Sequence, residues 1–376
     1  MYEYYKKNNK GDKKMKLAIV HDWLTNMGGA EQVIINFKDI FPEAPIYTTF
    51  YNPDNLDDKL KGLDVKTSFL QGKKMVINHK KYFPLMPLAF RLFNLKKYDV
   101  VLSSSSSCAK GVKAPNGVHI CYCHTPMRYA WDKREDYLKE MGKVKRTIIS
   151  IFLFFMRKWD KWSSKRVDYF IGNSTAVVER IKKCYGREAV VINPPVRCNL
   201  FNVSETDGDY YFIVSRLVPY KRYDLAVKAC KELGKKLVII GDGPERESLE
   251  ELAEGDSNIV FLGRQPDEVV KKYMQECKAL IFPGEEDFGI VPVEAQACGR
   301  PVIAFGKGGV LDTVIDGKTG VLFKEQSVDS LKEAILNFEK MKFDKQEIRN
   351  HALEFDEHIF QNKIREFVNE KVKENN

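Results

Sequence analysis

At 376 residues the chain is long enough for two separately cored domains, and its 44% apolar and 30% charged residues are the mix of a soluble globular protein. The net charge of +9 points to an anionic partner, a nucleotide, a membrane surface or a nucleic acid, without choosing among them. Eight cysteines, none in a C-x-x-C pair and several inside apolar runs, read as buried free thiols of a reducing cytosol; no His/Cys cluster has the spacing of a zinc site.

In chain order, residues 1–14, "MYEYYKKNNKGDKK", are polar and basic and lack the apolar stretch of a signal peptide. They are expected to be a disordered tail on a cytoplasmic protein. "KLAIVHD" (16–22) reads as a buried strand running into a Gly-Gly turn, Gly28-Gly29, that opens a helix. Further apolar strands are expected at 98–104, 117–124, 167–174 and 188–196, with helical stretches between them. The longest apolar run, "IISIFLFFM" (148–156), is too short to span a bilayer.

The polar, turn-rich segment 198–208 reads as a linker, after which the alternation restarts. "YYFIVSRL", "KLVIIGDG", "SNIVFLG", "KALIFP", "RPVIAFG" and "TGVLF" are strands with helix signals after them, and the chain ends in an amphipathic helix at 355–376. Strands alternating with helices imply parallel sheets covered on both faces. The expectation is an α/β protein of two Rossmann-like domains, 15–197 and 209–354, facing across a cleft in which ligands bind at the carboxyl ends of the strands.

The chemistry-bearing residues follow strand ends. In "FPGEEDFGIVPVEAQACG" (282–299) an apolar strand breaks into three acids, a Phe288-Gly289 turn and a helix carrying Glu294. Gly289 permits close backbone approach, and free amides near Phe288, Gly289 and Ile290 can hold an anion or sugar hydroxyls. Glu286 and Glu294 are then placed to accept hydrogen bonds from a polyol. The competing reading has Glu286 cap the helix and Glu294 complement its dipole. In "SRLVPYKRYD" (215–224), Arg216 and Lys221 suit a diphosphate, neutralising charge as a nucleotide leaves; they could equally be solvated surface cations. His124 follows another strand, where a lone histidine is commonly structural. "GDGPE" (241–245), with Gly241, could accommodate a nucleotide or simply turn. "DGD" (207–209) looks like a metal-binding D-x-D, but it precedes a strand and reads as a turn.

Taken in order, "SRLVPYK", "GDGPERE" and "EEDFGIVPVEAQACGRPVIAFGKGG" resemble the retaining glycosyltransferases of family 4, with the GT-B fold, over nearly the whole chain from Met15. "CHTPMRYAWD" with "GEEDFGIVPVEA" looks most like bacterial mannosyltransferases that build surface polysaccharides from GDP-mannose. The resemblance implies that Glu286 binds hydroxyls of the transferred sugar and Glu294 the ribose. Arg216 and Lys221 would hold the diphosphate, helped by Gly29. His124 would contact the sugar near the reacting carbon, and the backbone of Phe288, Gly289 and Ile290 would contact sugar and phosphate. "GRQPDE" (263–268), with Arg264 and Gln265, would lie by the base. The tail helix would cross back to the first domain. It also implies front-face displacement without metal or other cofactor, the two cations doing what a metal does elsewhere.

Two basic, aromatic stretches of the first domain, 73–97 and 143–166, suit an anionic membrane surface and hence a lipid-linked glycan acceptor; each could instead be a packed helix with a solvated basic face. A nucleic-acid partner is not expected, because no recognised module is present. The alternatives are a UDP-sugar-dependent transferase with a soluble acceptor and a non-enzymatic two-domain sugar-binding protein.

Overall fold

The computed structural model describes residues 15–132, 134, 138 and 141–375, so the expected tail, residues 1–14, lies outside the described residues. The chain divides into two compact units, each built on one sheet.

The first sheet has seven strands: β1 (Leu17–His21), β2 (Ile46–Thr48), β3 (Val65–Thr67), β4 (Val100–Ser105), β5 (Val118–Cys123), β6 (Tyr169–Gly172) and β7 (Ala189–Val191). Their order is β3-β2-β1-β4-β5-β6-β7, and β1 pairs in parallel with both β2 and β4. The helices here are α1 (Gly29–Ile40), α2 (Lys73–Ile77), α3 (Met86–Leu92), the 21-residue α4 (Lys143–Ser163) and α5 (Thr175–Tyr185). Strands β1, β4 and β5 are buried along their whole length, as strands covered on both faces must be. The sequence reading missed β2 and β3, which are three residues each and too short to show a period.

The second sheet has six: β8 (Tyr210–Val214), β9 (Lys236–Ile240), β10 (Ile259–Gly263), β11 (Ala279–Phe282), β12 (Val302–Phe305) and β13 (Gly320–Phe323). All are parallel, in the order β10-β9-β8-β11-β12-β13. Between and after them lie α6 (Tyr223–Leu233), α7 (Arg246–Ala253), α8 (Asp267–Glu276), α9 (Ile290–Ala297), α10 (Val310–Thr313), α11 (Val328–Phe338), α12 (Lys345–Leu353) and α13 (Glu357–Glu374). One face of this sheet carries Ile213, Ile239 and Ile281 against α6 and α11; the other carries Phe212, Leu280 and Ala304 against α8 and α9. The strand order reverses at β8/β11, as it does at β1/β4 in the first sheet. Loops leaving the two strands of a reversal go to opposite faces and leave an opening at the carboxyl edge.

At two places the compact units divide the chain otherwise than the expected boundaries. Residues 172–180 and 190–197 group with the second unit rather than the first. The backbone amide of Thr175 donates to Asp312 at 2.7 Å, Arg180 pairs with Asp287 at 2.6 Å, and Val196 bridges to Asp356. The stretch 198–208 is also no free linker. Arg300 binds Asp207 and, at 2.6 Å, the carbonyl of Thr206; Lys345 reaches Asp207 at 2.7 Å; and Arg349 donates to the carbonyl of Phe201. Asp209, the other acid of "DGD", pairs with Lys236 at 2.5 Å. At the far end, residues 365–375 group with the first unit, where Phe367 packs on Tyr169.

All eight cysteines are buried and free. Burial raises their thiols where a shift is resolved, Cys121 and Cys230 to about 12. Among the described residues no helix is long and apolar enough to cross a membrane.

Candidate functional site

In the second unit the sequence-predicted residues gather at the β8/β11 reversal. The loop after β8 runs through Arg216 to a short 3-10 turn, Pro219–Lys221, and Arg222 then enters the left-handed region at φ 55° before α6 begins. The loop after β11 runs through the three acids to α9. The two loops touch. A β-carbon on Gly284 would sit 2.9 Å from the Cα of Lys221, so only glycine lets the backbones approach this closely.

Each acid then meets its own cation. Glu285 lies 3.4 Å from Lys307, Asp287 pairs with Arg180, and Glu286 takes the ammonium of Lys221. The Lys221–Glu286 pair is mostly buried, whereas Arg216 is exposed at the same edge. The loop's far side is clamped by "KGG". Gly309 donates to the carbonyl of Glu286 at 2.9 Å, and a β-carbon there would fall 2.2 Å from the Cα of Phe288. Asp287 is thus a loop anchor that the sequence reading missed, because Arg180 lies 107 positions away.

Gly289 stands at φ 89°, where glycine is favoured, immediately before α9. No side chain caps that helix, so the amides beginning at Ile290 stay open to a ligand. Phe288 turns inward onto Phe355 and takes part only through its backbone. Glu294 lies one turn along α9. Burial pushes its pKa up to about 7; the charge of Arg197 opposes the rise and that of Asp267 adds to it.

Gly241 has a packing role. At φ 141° it approaches β8 so closely that a β-carbon would meet the Ser215 carbonyl at 1.8 Å, and Gly243 approaches Leu217 in the same way. "GDG" therefore seats the Arg216 loop. Arg264 is exposed after β10, while the Gln265 amide donates to the Leu262 carbonyl at 2.6 Å.

In the first unit, Gly28 and Gly29 are exposed at the start of α1, and Gly28 adjoins Glu31. His124 is not alone. Its Nε2 lies 2.7 Å from the Ser104 hydroxyl, which lies 3.1 Å from Nδ1 of buried His21; the other nitrogen of His21 is 3.6 Å from Glu31. Ser104 has one proton, so it donates to one ring and accepts from the other. Burial, and then His21, pulls the pKa of His124 down to about 3, which keeps the ring neutral. Next to this chain, buried Asp22 accepts four backbone N–H bonds at 2.7–2.8 Å, from Ser106, Ser107, Cys108 and Ala109, fixing the loop after β4. Sequence reading had no signal for these partners: His21 to Ser104 and Asp22 to its four amides span 83 to 87 positions, and Ser104 to His124 spans 20.

Among known proteins, residues 201–355 match the family model of glycosyl transferases group 1. The Mycolicibacterium smegmatis GDP-mannose-dependent alpha-(1-6)-phosphatidylinositol monomannoside mannosyltransferase is 34% identical over 34% of this chain and 38% of its own. The alpha-1,3/1,6-mannosyltransferase ALG2 of Dictyostelium discoideum is 25% identical over 83% of this chain and 87% of its own. The alignments with the first relatives span about half of their length or less. The Anabaena HepE crystal structure, a complex with UDP, superposes with a TM-score of 0.70 at 18% identity over 95% of this chain and 100% of its own, a likeness of fold. Residues 201–355 are thus similar to the glycosyl transferases group 1, and the likeness to HepE is one of fold.

Proposed function

We propose that the protein is a retaining hexosyltransferase that moves mannose from GDP-mannose to a lipid-linked glycan acceptor in surface-polysaccharide synthesis. The observation that carries the reading is the β8/β11 edge, with Lys221 held on Glu286, Arg216 exposed and the uncapped amides of α9 together in one unit. Two cations and a helix N-terminus fit a diphosphate. The mannosyl choice is supported by two relatives whose names carry that activity, and the lipid-linked acceptor by the first of them.

In the reaction, the bond from the sugar's anomeric carbon to the diphosphate breaks and the phosphate keeps its electron pair. The acceptor oxygen bonds to that carbon from the same face, and a phosphate oxygen takes the acceptor's proton. Arg216 and Lys221 neutralise the growing charge. Glu286 binds sugar hydroxyls, and Glu294 binds the ribose. Neutral His124 is a hydrogen-bonding group for the transferred sugar.

The test is a donor panel of GDP-mannose, GDP-fucose, UDP-glucose, UDP-GlcNAc and UDP-galactose, scored by slow donor hydrolysis and thermal stabilisation. Response to GDP-mannose alone, persisting in chelator, is the expected result. Response to a UDP-sugar alone removes the mannose assignment, and silence with folded protein removes the transferase reading.

Glu294 adds a pH dependence. Its carboxylate accepts two ribose hydroxyls, whereas the protonated acid accepts less well and donates. With a pKa near 7, donor affinity is expected to rise as pH increases through neutrality. Glu294→Gln should bind weakly at every pH, with the slope gone; a retained slope in titration calorimetry would remove Glu294 from the ribose.

A further inference from the structure

The outward face of α4 is an apolar stripe that the first unit leaves uncovered. The buried residues Leu153, Met156, Asp160 and Ser163 line the inner side of the helix. Val144, Ile148, Ile151 and Phe155 recur every three or four residues on the opposite side, Trp162 follows two turns on, and all five remain 45% to 76% exposed. A core helix does not place five large apolar side chains in water along its full length.

The charge beside the stripe has one sign. The segment 143–166 holds one acid, Asp160, which is fully buried on Lys110. Lys158, Lys161 and Lys165 are exposed, and no ion pair engages them among the described residues. With Trp131, Arg157 and Trp162 they line a groove of roughly 290 Å³, in which the Arg157 guanidinium lies over the Trp131 ring. A second exposed apolar set, Leu85, Leu88 and Leu92, lies in and just before α3, whose inner side shares a core with Phe152 and Met156 of α4. Arg91 is close enough for its charge to bear on Arg166 just past α4.

We propose that this face of the first unit docks on an anionic lipid surface, with the α4 stripe in the acyl boundary and the lysine groove on headgroup phosphates. The inference builds on the lipid-linked acceptor proposed above and names the residues that bring the protein to it. Charge complementarity selects the occupant. A second copy would set lysines against lysines, and the chain's first fourteen residues carry five lysines against two acids.

The test is co-sedimentation of the full chain with vesicles of phosphatidylcholine alone or with phosphatidylglycerol added, at low and high salt. Wild type should sediment with the anionic vesicles only, less so as salt rises. Ile151→Asp with Phe155→Asp should weaken binding by about tenfold or more, and Lys158→Glu with Lys161→Glu should remove the preference for anionic lipid. Both pairs should keep wild-type thermal stability and donor hydrolysis measured without vesicles, which separates this proposal from the donor assignment. As a readout independent of those variants, the emission of Trp162, isolated by difference from Trp162→Phe, should shift to the blue on lipid. The proposal is overturned if wild type ignores anionic vesicles, if neither pair alters binding, or if wild type self-associates and Ile151→Asp with Phe155→Asp abolishes that association.

Discussion

Lys221→Ala is expected to lower donor turnover by about two to three orders of magnitude while leaving the fold intact. The side chain lies in a three-residue turn, and its ammonium meets Glu286 and lies over the rings of Tyr220 and Phe282. Removing it takes away charge where the diphosphate would leave. The close contact between the two loops is kept, because Gly284 packs on the Lys221 backbone rather than its side chain. Lys221→Arg tests geometry against charge: the guanidinium keeps the charge, so partial recovery marks charge as the main contribution. Single-turnover hydrolysis of the donor measures the effect, and a Lys221→Ala protein turning over at near wild-type rate would remove this edge from the active site.

The second large effect is on stability. Lys110 and Asp160 form an ion pair at 2.5 Å, with their side chains 1% and 0% exposed. Burial opposes the Lys110 charge, and the Asp160 carboxylate more than offsets it, so the pKa ends up raised. Further bonds reach Lys110 and the other oxygen, Oδ2, of Asp160. Lys110 donates to the Ser107 carbonyl at 2.6 Å, while Trp131 and Tyr185 donate to Asp160 at 2.8 Å. Lys110→Met leaves an uncompensated buried carboxylate and is expected to cost about 3–5 kcal/mol. Adding Asp160→Asn should recover most of the loss, since the amide oxygen still accepts from Trp131 and Tyr185. All four tryptophans, Trp23, Trp131, Trp159 and Trp162, belong to the first unit, so their fluorescence in a urea titration follows the unit that holds the pair. An unchanged midpoint for Lys110→Met would show the carboxylate to be solvated.

What the sequence discloses and what it hides follow from range. Long apolar strands declare themselves, and the residues after β8 and β11 could be picked out because strand ends carry chemistry in this architecture. The three-residue strands β2 and β3 carry no period. The stretch 198–208 reads as a linker because it is polar; what ties it down, Arg300, Lys345 and Arg349, stands 93 to 148 residues later. His124 reads as solitary because Ser104 and His21 join it only through the pairing of β1, β4 and β5. Gly241 looks like ligand space and serves backbone packing instead. In each case the hidden partner is set by strand order, which no local pattern encodes.

The cysteines give the molecule a built-in clock. Four of them, Cys108, Cys121, Cys123 and Cys184, belong to the first unit, and the other four, Cys198, Cys230, Cys277 and Cys298, to the second. Buried thiols held in the protonated form do not react with alkylating reagents until the structure around them opens. Alkylation followed residue by residue therefore times the opening of each unit separately, without added probes. A bound nucleotide should slow the second set first, and a lipid surface the first.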